Sequence, residues 1–99
     1  PVATSIQSGF ASSSLQLKQN YPNPFRNSTY IDFYLPRTEF VSIKINDLHG
    51  GLIQTVAEGE LPSGNHTYRL DLENFTSGTY FYKLDAGSNT LIKKMTKIE

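Results

Sequence analysis

From Leu15 onward the chain places apolar side chains at every second position, and this period dictates the class of fold open to it. Ile31, Phe33 and Leu35 alternate with Tyr30, Asp32 and Tyr34, and Val41, Ile43 and Ile45 alternate with Ser42, Lys44 and Asn46. His66, Tyr68 and Leu70 alternate with Thr67, Arg69 and Asp71. Tyr80, Tyr82 and Leu84 alternate with Thr79, Phe81 and Lys83. In an extended strand successive side chains point to opposite faces, so each run offers one face to a core and one to solvent. Leu15–Gln19 is a short run of the same kind, Leu52–Glu58 a weaker one, and Thr90–Ile98 closes the chain. No segment shows a helical period.

The breaks between these runs have turn chemistry. Asn20-Tyr21-Pro22-Asn23-Pro24-Phe25 fits neither a helix interior nor a central strand, because proline lacks the amide donor both require. It reads as a rigid corner that caps the fold, with Tyr21 and Phe25 packed down and Asn23 initiating a turn. Pro36-Arg37-Thr38, His49-Gly50-Gly51, Pro62-Ser63-Gly64 and Ala86-Gly87-Ser88-Asn89 end further strands. Seven short strands at this spacing predict an all-β, seven-stranded antiparallel sandwich. Two parities compete in the last strand. Leu91 and Met95 fall with Lys93 and Lys97, and Ile92, Thr96 and Ile98 fall with Lys94. The expectation is that Ile92 and Ile98 point inward, with a bulge reconciling the two sets.

Ninety-nine residues make one domain. The 37% hydrophobic content predicts a thin core, partly compensated by six Phe and six Tyr. Nine basic and nine acidic side chains cancel, which leaves no electrostatic footprint for nucleic acid. No apolar run is long enough for a membrane-spanning helix. The absence of cysteine removes a disulfide framework, a thiolate metal site and a thiol nucleophile. His49 and His66 are the only histidines, and neither sits in a nucleophile-base or metal-ligand spacing. Asp71, Glu73 and Asp85 lack calcium-loop spacing. The residues therefore suggest no catalytic group, metal or cofactor. Pro1–Ser14, rich in Ser, Ala, Thr and Gly, reads as a linker, with the domain in residues 15–99. A start at Pro1 reads as a piece of a longer protein or a processed product.

Six words in register carry a family resemblance: Asn20 to Phe25, Leu35-Pro36, Asp47-Leu48-His49-Gly50, Pro62-Ser63-Gly64, Gly78-Thr79-Tyr80, and the basic run Lys93 to Lys97. From Leu15 to Glu99 the chain resembles the C-terminal sorting domain of the type IX secretion system, type A. The resemblance implies an immunoglobulin-like sandwich. In such sandwiches a Tyr near the start of the sixth strand bonds back to the upstream corner, and the residue two further on fills a core position. Tyr80 and Tyr82 fit these places. Tyr21, Pro22, Pro24, Phe25, Pro62, Gly64 and Gly78 complete the structural motif.

The resemblance further implies the carboxy-terminal address of an exported protein in a Gram-negative bacterium. The cargo folds in the periplasm, the domain directs it through an outer-membrane translocon, and a sortase-type peptidase removes the domain within Pro1–Ser14. The partners implied are the translocon, the peptidase and an N-terminal cargo domain, with no nucleic acid and no membrane insertion. The destination is the cell surface or the extracellular space. The K-x-x-x-K pattern of the family matches Lys93 and Lys97, and with Lys94 they form the expected recognition group. Lys93 and Lys97, four apart in a strand, are expected to share a face and meet one acidic surface. The chain departs from the family at Arg26-Asn27, where Asn-Pro is usual, and at Gly51, where Arg is usual. The alternative is an immunoglobulin-like accessory module that binds glycan or protein through exposed aromatics such as Tyr30, Tyr34 and Phe81. Related sandwiches also occur in flagellar hook-capping proteins.

Overall fold

A computed structural model describes residues 14–99. The linker expected before Leu15 lies, apart from Ser14, outside the described residues. Seven strands run in chain order: β1 (Gln16–Leu17), β2 (Ser28–Leu35), β3 (Glu39–Asn46), β4 (Leu52–Leu61), β5 (Gly64–Asp71), β6 (Gly78–Ala86) and β7 (Asn89–Lys97). They form a three-stranded sheet, β1-β2-β5, and a four-stranded sheet, β4-β3-β6-β7. Each strand-to-strand pairing in both sheets is antiparallel. Two sheets of this size, with hairpins β3–β4 and β6–β7 and crossings between the layers, make the immunoglobulin-like sandwich.

The alternation seen in the sequence becomes the core. Ile31, Phe33 and Leu35 of β2 face Val41, Ile43 and Ile45 of β3 and Tyr80, Tyr82, Leu84 and Ala86 of β6 across the interior, with Leu17, Phe25, Leu70, Leu72 and Met95 completing the cluster. Phe33 stacks on Tyr68 with ring centroids 5.9 Å apart, within the range of favourable aromatic pairs.

Tyr80 makes the corner. Its hydroxyl donates to the Thr76 carbonyl at 2.6 Å, four residues upstream. Gly78 opens β6 at φ +148°, a conformation that side chains with a Cβ rarely adopt. Tyr82, fully buried, donates its hydroxyl to the Lys18 carbonyl at 2.7 Å. The four-stranded sheet is thereby tied to the segment just after β1 of the other sheet. Burial pushes the Tyr82 phenol up to about 12, so it stays a neutral donor across the physiological range.

The weak period over Leu52–Glu58 has a structural cause. β4 runs on to Leu61, and its pairing with β3 shifts twice, leaving Val56 and Ile53 without a direct cross-strand partner. Each bulge flips the parity of the residues beyond it, so apolar side chains fall out of step with a strict period of two.

The last strand corrects the expected parity. Ile92 is 58% exposed and Ile98 39% exposed, whereas Met95 is fully buried. The β6–β7 register runs unbroken from Ala86↔Asn89 to Gly78↔Lys97, with no bulge. The tight connection at Gly87-Ser88 fixes that register, and Met95 opposite Tyr80 fills the core. A slip of one residue would bring Ile92 in at the cost of turning out Met95.

Candidate functional site

The two segments that stand out in the sequence, Asn20–Phe25 and Lys93–Lys97, meet in space. β7 is an outer strand of its sheet and presents alternate peptide groups away from β6. Over its final residues these groups are taken by the chain before β2. The Phe25 amide donates to the Thr96 carbonyl at 3.0 Å, and the Ile98 amide donates to the Phe25 carbonyl at 2.8 Å. The Thr96 amide donates to Asn23 Oδ1 at 3.0 Å, and Gln19 Nε2 donates to the Lys94 carbonyl at 2.8 Å. Phe25 and Lys97 thus form a parallel bridge, with the Phe25 ring buried beneath.

The corner is itself held from below. Asn20 is buried and donates to Thr29 Oγ1 at 3.0 Å and to the Pro22 carbonyl at 3.2 Å. Thr29 Oγ1 donates to the same carbonyl at 2.9 Å. A buried polar cluster with its bonds made adds little net energy, yet leaving one member unpaired is costly, so it fixes geometry. The Tyr21-Pro22 and Asn23-Pro24 bonds are both cis.

Tyr21 does not pack down as expected. It is 48% exposed and stacks on Tyr30 on the outer face, with centroids 5.8 Å apart. Its hydroxyl donates to the Asp32 carboxylate at 3.2 Å, and Thr67 Oγ1 donates to the same carboxylate at 2.7 Å. Desolvation, followed by the Asp32 charge, raises the Tyr21 phenol above its ordinary value. Backbone pairing with Tyr30 in both directions turns the Tyr21 side chain outward, while Phe25 goes in.

The three lysines have three environments. Lys93 lies opposite Tyr82 on the core-side face and is half-buried. Lys97 lies opposite Gly78 on that same face and is only 6% exposed. Lys94 lies opposite Phe81 on the outer face and is exposed. Lys93 and Lys97 do share a face, but it is the inward one. A single flat acidic partner facing both is therefore not offered: Lys97 is buried at the end of the sheet, while Lys93 is only half-buried. Among the described residues no ion pair involves any of the three.

The remaining motif residues are local. Pro62 accepts a hydrogen bond from His66 Nε2 at its carbonyl, 2.7 Å, and Gly64 takes φ +120° at the start of β5. His49 sits in a turn whose amide donates to Asp47 Oδ1 at 2.9 Å. Asp47 also accepts the Gly51 amide at 2.8 Å, and a Cβ at Gly51 would lie 3.1 Å from that carboxylate. A side chain at this place, such as the Arg usual in the family, would require the Asp47 carboxylate to shift by a few tenths of an ångström. Among the described residues no cluster of His, Asp and Glu is placed to hold a metal ion. Among them also, no helix is long and apolar enough to cross a membrane.

Sequence reasoning missed Gln19, the Asn23 side chain and Thr96. Asn23 signals a turn by its residue type, and nothing local reveals an acceptor role toward a strand 73 residues later.

No curated protein matches the chain. The model of the secretion system C-terminal sorting domain matches residues 19–98, which begins at the Gln19 contact and ends at the Ile98 contact. With that match across most of its length, over a seven-stranded sandwich whose marked segments close on each other, the chain belongs to the family of type IX secretion system C-terminal sorting domains.

Proposed function

We propose that this domain is the address of a larger exported protein and is read at the joint between Gln19–Phe25 and Lys93–Ile98. The cargo folds in the periplasm, the joint engages the outer-membrane translocon, and a sortase-type peptidase cuts within Pro1–Ser14 and releases the domain. The domain is the substrate of that chemistry and not its agent. The observation that carries this reading is the four-bond seam between the two segments. It presents the end of β7 as one folded surface rather than a loose tail, with Lys94 and the half-buried Lys93 as its accessible charges. Lys97 supports the surface from beneath.

Residues 1–99 fused to a fluorescent reporter, in a bacterium with the secretion system, test this. Surface delivery that disappears on deleting Lys93–Glu99, and that falls in Lys93→Glu and Lys94→Glu with the domain still folded, is expected. Normal export of a folded Lys93→Glu/Lys94→Glu variant would overturn the role of the lysines. A second reading, an accessory module for glycan, draws support from the exposed Tyr21–Tyr30 stack beside Asp32. Periplasmic retention together with glycan capture that is lost in Tyr30→Ala would favour it.

A further inference from the structure

The fold uses only half of the word Asp47-Leu48-His49-Gly50. The Asp47 carboxylate accepts the His49 and Gly51 amides, the Asp47 amide donates to the Gly51 carbonyl, and Gly50 takes φ +89°. Asp47 and Gly50 therefore make the turn. The turn makes no use of the Leu48 side chain, which stands 62% exposed.

Leu48 is not an isolated apolar residue. With Phe81 and Ile92 it walls an apolar depression of about 370 Å³. Ile92 is 58% exposed, and Leu52, whose register partner Asn46 lines the same depression, is 57% exposed. Single exposed apolar residues are ordinary on a protein surface, but a group gathered at one hollow marks a contact site. The charges around it are mixed. Lys83 and Asp47 stand on its wall, and Lys44, Lys94 and Asp85 lie on the same sheet face. With both signs present, these charges select neither an anionic lipid surface nor a uniformly acidic partner.

The register joins the depression to the joint at the end of β7. Lys44 of β3, Lys83 of β6 and Ile92 of β7 form one row, and Asn46, Phe81 and Lys94 form the next. Phe81 is thus directly opposite Lys94, and Ile92 precedes Lys94 by two on the same face. An apolar centre with charged groups at its rim is the anatomy of a protein–protein interface.

We propose that this depression is the apolar half of the surface by which the translocon reads the domain, and that it receives one large apolar side chain of the translocon protein. Leu48, Phe81 and Ile92 hold that anchor, and Lys94 at the rim meets polar groups of the same protein. A few anchors seated in pockets carry most of the binding energy of an interface, while rim charges set orientation and encounter rate. The proposal rests on the export reading and adds to it the partner chemistry, which is apolar rather than acidic.

The test uses residues 1–99 fused to the fluorescent reporter in a bacterium with the secretion system. Leu48→Ser/Ile92→Thr removes the apolar walls without changing charge, and is expected to lower surface delivery about tenfold or more. Leu48→Met/Ile92→Val is expected to keep wild-type delivery. Phe40→Ser makes the same kind of change at a residue 61% exposed and away from the depression, and is expected to leave delivery unchanged. Melting of each purified chain is expected to stay within about 4 °C of wild type, because the altered side chains are exposed. Unfolding of Leu48→Ser/Ile92→Thr would make the two residues part of the structure and overturn the proposal. Normal delivery of that variant overturns it too, as does an equal loss in Phe40→Ser. Two other occupants are told apart with delivery kept. A concentration-dependent dimer that only the variant loses assigns the depression to a second copy, and capture by phosphatidylglycerol vesicles that only the variant loses assigns it to a membrane. Either result overturns the proposal. Normal delivery of Leu48→Ser/Ile92→Thr beside failure of Lys93→Glu/Lys94→Glu sinks the depression and leaves the address standing. Normal delivery of both variants and of the chain lacking Lys93–Glu99 sinks the address itself.

Discussion

Strands β4 and β7 both end the four-stranded sheet, yet β4 guards its free edge with its own sequence while β7 borrows its guard from elsewhere. β4 carries two register shifts and the charges Glu58 and Glu60. Bulges and edge charges of this kind discourage pairing with another chain. β7 has an unbroken register and is closed over its last residues by Gln19, Asn23 and Phe25. A defence written into the strand costs regularity. A borrowed defence keeps the strand regular but makes the end of the chain depend on a segment packed far away in sequence. The difference teaches where the molecule has a fixed edge and where it has a composite one.

Phe25→Ala is the largest test of the composite edge. The loss of a buried aromatic is expected to cost about 3–5 kcal/mol in an equilibrium melt. The Thr96 and Ile98 amides should lose protection first in hydrogen exchange. A cost under about 1 kcal/mol would mean that β7 stands without its guard.

Alkaline unfolding sharpens the same comparison, because Tyr82 ties β6 to Lys18 just ahead of the guard. Its phenol is raised from 10.0 to about 12 in the folded chain. The raised value means the folded state keeps the proton after the unfolded state has lost it. Its contribution is thus fully present below the unfolded value and is lost as pH rises through the window between the two. Stability is expected to fall by about 2–3 kcal/mol across that window, and Tyr82→Phe should remove this part of the slope. Identical slopes in the two proteins would contradict the burial.

Asn23→Ala removes the acceptor of the Thr96 amide and is expected to cost about 1 kcal/mol, with faster exchange at Thr96 alone. At the other edge, Glu58→Gln should change stability by less than about 0.5 kcal/mol, since Glu58 is exposed and has no ion pair among the described residues. If Glu58→Gln instead leaves the fold intact but promotes aggregation, its role as an edge charge is confirmed. An effect on stability as large as that of Asn23→Ala would erase the distinction between the two edges.

Much of the sandwich was legible residue by residue. The core faces of β2, β3, β5 and β6 come directly from the period of two, and the Tyr80 corner and Tyr82 core position come from the motif at the start of β6. The last strand was misread at Ile92 and Ile98. Both parities there hold apolar residues, and hydropathy alone favoured two isoleucines over Met95 with a lysine on either side. Tyr21 was misplaced for a related reason: two aromatics in one turn look equally apt for burial, and only backbone pairing with Tyr30 separates Tyr21 from Phe25.

The chain's sequence alone determined its strands, its turns and the family its words belong to, because alternation and turn chemistry act between neighbours. Only the tertiary structure decided that Lys97 goes inside, that Asn23 receives the Thr96 amide, and that Lys44, Lys83 and Lys94 share one face. Those outcomes depend on which strand lies beside which and in what register. Register is set by hairpin length and core volume acting together across the whole sandwich, and neither is written at the residues it places.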